Sequence, residues 1–167
     1  MSSSPLHFVW HYTDVDRAFW AEHLEDWLPH RILDAHTHVA DPRLRLEPMT
    51  EAMRRQYWVN EVFEPIDAPT AERCHRTVFP GREFGCVAFG VPDLSFDIDG
   101  GNAYLQAQCP PRGWQSLAVI RPQWSQDKIA GLLDASGVIG VKPYYALISA
   151  NRETRDAHLE ASIFEFL

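Results

Sequence analysis

Four continuous apolar runs, each closing on polar residues and a turn, constrain what this chain can become. They are Arg31-Ile-Leu-Asp-Ala-His-Thr-His-Val39, Phe84 to Val91, Gln115 to Ile120 and Val138 to Pro143. Each has the length of a strand, and none alternates polar with apolar residues as a half-exposed strand would. A strand apolar on both sides of its pleat is covered on both faces, which is the habit of parallel sheets. Asp41-Pro42, Pro92-Asp93 and Arg121-Pro122 follow three of the runs and punctuate them as turns.

Helix-forming segments fill the intervals. Asp14 reads as the cap of a helix from Val15 to Trp27, with Ala18, Leu24, Trp27 and Leu28 inward and Pro29 as its end. Thr50 caps a second helix reaching about Val62, beyond which Pro65 and Pro69 interrupt the chain. Thr70 to Val78 and Asn102 to Gln108 read as further helices. Ser125 caps another running to Ala135, with Gly137 as its stop signal. Ile163 to Leu167 opens one more apolar segment. Strands alternating with helices predict βαβ units and a parallel sheet, hence the α/β class. Residues 1–30 form an N-terminal extension with its own helix in this reading, and residues 31–167 form the α/β unit.

Composition narrows the partners. The chain is 46% hydrophobic and 23% charged, the profile of a globular domain. Its 23 acidic against 15 basic residues leave a net charge of −8, which argues against nucleic acid and anionic membranes as partners. No apolar run reaches about 18 residues, so no transmembrane helix is expected. Met1 to Trp10 lacks the basic start and long apolar stretch of a signal peptide. Cys74, Cys86 and Cys109 are odd in number and form no Cys-x-x-Cys pair. Reduced, buried thiols in a cytoplasmic protein are the simple expectation. Most of the six tryptophans are expected in the core.

The chemistry concentrates at the polar ends of the strands. His36 and His38 are two apart, so regular alternation directs both side chains to one side, their Cα atoms roughly 6.5 Å apart. Two imidazoles so placed can converge on one metal ion at about 2.0–2.1 Å each. The C-terminal ends of parallel strands are also where α/β folds gather their chemistry. Arg121, closing the third run, can hold a substrate carboxylate in bidentate fashion. Tyr144 and Tyr145 are placed to line the same mouth. His7, His11, His23, His30, His75 and His158 have no ligand spacing and read as structural or exposed. There is no Gly-x-Gly-x-x-Gly after a strand, no phosphate-binding Gly-Lys-Ser/Thr loop and no Gly-x-Ser-x-Gly elbow.

The string Ile32-Leu-Asp-Ala-His-Thr-His38 resembles the signature of the amidohydrolase superfamily, a hydrophobic first strand ending in Asp-x-His-x-His. Gly137-Val-Ile-Gly-Val-Lys142 resembles that family's Gly-x-x-Gly-x-Lys. The resemblance spans about residues 14 to 167, with its specificity at Ile32–Val39 and, more weakly, at Val138–Tyr144. It implies a partial (β/α)8 TIM barrel of about the first four βα units, ending before the fifth strand. It also implies a divalent metal, Zn²⁺ before others, as one or two ions held by His36 and His38. The activity implied is hydrolysis of an amide, ester or lactone carbonyl of a small molecule through a metal-bound hydroxide. Lys142 would be catalytic, either carbamylated to bridge two metals or unmodified against an anionic substrate. Asp34 would orient a ligand histidine or bond to nearby backbone. Arg121 and Tyr144 would contact substrate.

Whole barrels of this kind run to about 250 residues. The family's later ligands, histidines from the fifth and sixth strands and an aspartate from the eighth, have no counterpart in these 167 residues. Two other readings follow. One is a metal-dependent non-oxidative decarboxylase on the same fold, with Arg121 as its carboxylate partner. The other is an inactive half-barrel that serves assembly, two copies closing a barrel as a homo-oligomer.

Overall fold

The computed structural model describes residues 12–56 and 65–149. Its centre is a four-stranded sheet of β1 (Arg31–His38), β2 (Glu83–Phe89), β3 (Gln115–Ile120) and β4 (Val138–Pro143). The strands lie in the order β1-β2-β3-β4, and every pairing is parallel. Between and before them come α1 (Asp14–Phe19), α2 (Glu51–Gln56), α3 (Ala68–Val78), α4 (Ile98–Gln108) and α5 (Gln126–Leu133). The expected α/β class and parallel pairing are therefore present, and β3 and β4 occupy the residues expected of them.

The helices start where a side chain can take up a free amide of the first turn. Asp67 accepts from Thr70 N–H, Asp97 from Gly100 N–H and Ser125 from Lys128 N–H. Met53 N–H donates to Thr50 Oγ1, so Thr50 caps α2 as expected. The expected continuation of that helix to Val62 lies outside the described residues. α3 begins two residues before its expected start and α4 four residues before. In α4 the pair Gly100-Gly101 conceals the first turn, because glycine is a poor helix former. Packing explains Gly100: an added Cβ would stand 2.4 Å from Asp97 Oδ2 and 3.0 Å from Leu44 Cδ2.

The first helix departs furthest from expectation. Its cap is Thr13 rather than Asp14, in a reciprocal pair where Asp16 bonds back to Thr13 N–H. The α-helix ends at Phe19 and continues as a π-helical turn over Trp20–Leu24. That turn changes the phase of the helix surface. Trp20 faces inward at 6% exposure, while Ala18 is exposed and Trp27 is 77% exposed.

The core lies between the sheet and α3 and α4. Ala68, Ala71, Cys74, Leu105 and Cys109 from the helices are buried, as are Cys86 and Ala88 of β2 and Trp114. The three thiols are free and buried, as expected. Burial pushes the Cys86 thiol up to about 12 and the Cys109 thiol to about 11, so neither is a ready nucleophile. A smaller cluster of Phe89, Ile98, Val119 and Leu147 closes the C-terminal end of the sheet.

At that end β2 and β3 part. Their ladder holds only Val87↔Gln115 and Ala88↔Ser116, so β3 runs on past the end of β2. Asn102 of α4 fills the gap like a missing strand residue. Its Nδ2 donates to Val119 O and its Oδ1 accepts from Val119 N–H, both at 2.9 Å. The buried Val119 backbone is thereby satisfied, as buried peptide groups must be.

Candidate metal centre

β1 reaches the site through an irregularity. It pairs with β2 as Asp34↔Cys86 and then as Thr37↔Ala88, so β1 carries one residue more than its partner. Such a bulge re-aims the side chains beyond it. Asp34 and Thr37 thus pair with the two β2 residues that face the helices, although they are three apart. Asp34 Oδ1 accepts the His36 N–H at 2.9 Å, a local side-chain bond that stabilises the kinked backbone. Of the two roles expected for Asp34, backbone bonding is the one observed, and the backbone it holds is that of His36.

Past the bulge, His36 and His38 emerge on the same side, over Phe89 at the end of β2. The two ring centroids are 5.5 Å apart and lie 4.8 and 4.5 Å from the Phe89 ring. Two imidazoles sharing one zinc at about 2.0–2.1 Å have centroids roughly 5–6 Å apart. The separation of the two rings lies in that range. His38 Nδ1 lies 3.2 Å from Gly90 O. A carbonyl only accepts, so Nδ1 donates and the lone pair of Nε2 is left for a ligand, the usual arrangement of a metal-binding histidine. Burial, with His36 and Lys142 nearby, holds the His38 imidazole below its ordinary range despite the Gly90 bond. The shift favours the neutral imidazole, the form that can bind a metal.

Lys142 comes to the same ring from β4. Its Nζ stands 4.7 Å from the Phe89 centroid and 5.5 Å from that of Tyr144, both cation–π distances. Tyr144 lies 6.3 Å from His38, ring to ring, and burial pushes its phenol up, so it stays a protonated hydrogen-bond donor. Four residues singled out in the sequence, His36, His38, Lys142 and Tyr144, thus assemble around Phe89.

Arg121 stands at the same rim, immediately after Ile120, whose β4 partner Pro143 follows Lys142. Its Nε is buried without a hydrogen-bond partner among the described residues. Sequence reasoning missed Phe89 and the Gly90 carbonyl. Their signal was the end of the second apolar run, at the same strand-end level as His38, which pairs with Phe89.

The other histidines keep apart. His23 and His30 are exposed, and His75 stacks on Phe84 at 3.6 Å, away from the pair. His7, His11 and His158 lie outside the described residues. Among the described residues no group of three or more His, Cys, Asp or Glu side chains comes together to hold a metal, so the pair supplies two ligands. No helix among them is long and apolar enough to cross a membrane. Comparison with protein-family models, with curated proteins and with solved structures found no match to this chain.

Proposed function

We propose that the four parallel strands and the helices between them belong to the first half of a (β/α)8 barrel of amidohydrolase type, built for metal-dependent hydrolysis of a small molecule. The observation that carries this reading is the imidazole pair at the strand ends, 5.5 Å apart, with His38 Nδ1 tied to a carbonyl. The winding supports it. The parallel strands are neighbours in sequential order, the order that a barrel requires. A doubly wound sheet reverses its order instead.

In this reading His36 and His38 would hold a divalent ion, Zn²⁺ before others by its preference for imidazole. Bound there, the ion supplies an activated water and polarises the oxygen of an amide, ester or lactone carbonyl. Gly90 fixes the His38 tautomer. Phe89 screens one side of both rings from water. Lys142 and Tyr144 present an ammonium and a phenolic O–H to the substrate. The compartment goes with the reading: reduced buried thiols suit the cytoplasm.

The test is turnover of a panel of aryl esters, lactones and amides by the zinc-loaded chain. Hydrolysis should vanish on chelation, return with zinc, and fall to background in His36→Ala and His38→Ala. Turnover indifferent to chelation would contradict the reading. A decarboxylase on the same framework is the second reading, favoured by the Arg121 Nε that has no acceptor among the described residues; release of CO₂ from a carboxylate substrate without hydrolysis would select it.

A further inference from the structure

We infer that Arg121 is the specificity residue of this rim, receiving a carboxylate of the substrate, with Lys142 of the neighbouring strand as a second, unmodified cation. The inference rests on the proposed hydrolase site and adds to it the chemical class of what enters.

The first observation is Arg121 itself. Its Nε is buried and lacks an acceptor among the described residues, although the side chain as a whole is only half-buried. Leaving a charged donor buried and unpaired is costly, and the cost is recovered when a fitting acceptor arrives. The edge of a guanidinium that carries Nε matches a carboxylate through two parallel hydrogen bonds. The chain has no shortage of carboxylates, with 23 acidic residues. Seven ion pairs of Lys or Arg with carboxylates are formed elsewhere among the described residues, yet none involves Arg121 or Lys142.

The second observation is Lys142. Its Nζ is held between the Phe89 and Tyr144 rings. Ring faces are electron-rich and attract an ammonium. A carbamate on that nitrogen would set negative charge against the same faces. The position therefore suits a free ammonium facing an anion better than a carboxylated bridge between two metals. Strand pairing sets the two cations on adjacent strands two residues apart in level, since Lys142 pairs with Val119 and Arg121 follows two residues later. An anion here also offsets the repulsion between Lys142 and any cation on His36 and His38.

The experiment uses the metal-free full chain and two probes of one shape, benzoate and uncharged benzamide, titrated by NMR. Benzoate should bind at least about tenfold more tightly than benzamide, since a hydrogen bond to a charged group contributes about 1.5–3 kcal/mol. Arg121→Gln should remove that preference. Arg121→Lys, which keeps the charge and loses the fork, should weaken it by severalfold and serves should the glutamine variant fail to fold. Equal binding of the two probes, or a preference unchanged in both variants, would overturn the inference. A parallel zinc titration separates the two readings. Benzoate preference without zinc binding supports the carboxylate site and sinks the metal reading, and zinc binding without benzoate preference does the reverse.

Discussion

The carboxylate of Asp34 holds the amide of His36, and through it the bulge that brings two imidazoles to one side of β1. Asp34→Ala removes the acceptor and should lower stability by about 1 kcal/mol, the usual worth of one such bond. Zinc affinity should fall further, by about 10–100-fold, as when a ligand loses its support. Asp34→Asn keeps an acceptor oxygen and should preserve most of both. Urea unfolding and zinc titration of the two variants check this, and equal behaviour of Ala and Asn would speak against it. The tryptophans make a second contrast. Trp20→Ala should cost about 3–5 kcal/mol as a buried ring is lost, whereas Trp27→Ala should stay within about 0.5 kcal/mol. Thermal unfolding of both variants decides whether the π-helical turn is packed as described.

Among the elements, the junction of β2 and β3 depends most on one side chain. Asn102→Ala leaves both the N–H and the C=O of Val119 buried and unpaired, which should cost about 2–4 kcal/mol. Asn102→Asp should be comparably harmful, because a carboxylate cannot donate to the Val119 carbonyl. Denaturant midpoints of the two variants test this, and a loss below about 0.5 kcal/mol in Asn102→Ala would show that the gap closes without it. These elements also show where the sequence was readable. β3 is a short apolar run closed by the Arg121-Pro122 turn, and β4 is a short apolar run that follows the Gly137 stop signal. α4 was seen only from Asn102 onward, since Gly100-Gly101 reads locally as a break while its cause, close packing on Asp97 and Leu44, is tertiary. The π-helical turn at Trp20–Leu24 leaves no mark in a 3.6-residue period, so Trp27 read as inward. The His-x-His pair was legible from its spacing and the string before it. The bulge that aims it, and Phe89 beneath it, depend on a neighbouring strand that local sequence does not display.

For the molecule as a whole, pH enters through a half-buried histidine outside the proposed metal site. His75 packs between Phe84 and Trp114, and burial holds its imidazole below the ordinary value, with Asp34 pulling weakly the other way. The unfolded chain then binds a proton that the folded chain refuses, so the stabilising contribution is present above about pH 6.5 and is lost as pH falls from there through the folded value. His75→Phe should flatten the decline in stability between about pH 7 and pH 5 relative to the unmodified chain. Urea midpoints across that range give the measurement, and parallel pH profiles for both proteins would remove His75 from the account.

One measurement bears on all of this most directly: calorimetric zinc titration of the full chain beside His36→Ala and His38→Ala. The account predicts one tight zinc per chain in the unmodified protein and its loss in each variant, with the fold retained by circular dichroism. Zinc binding of unchanged stoichiometry and affinity in both variants would contradict it.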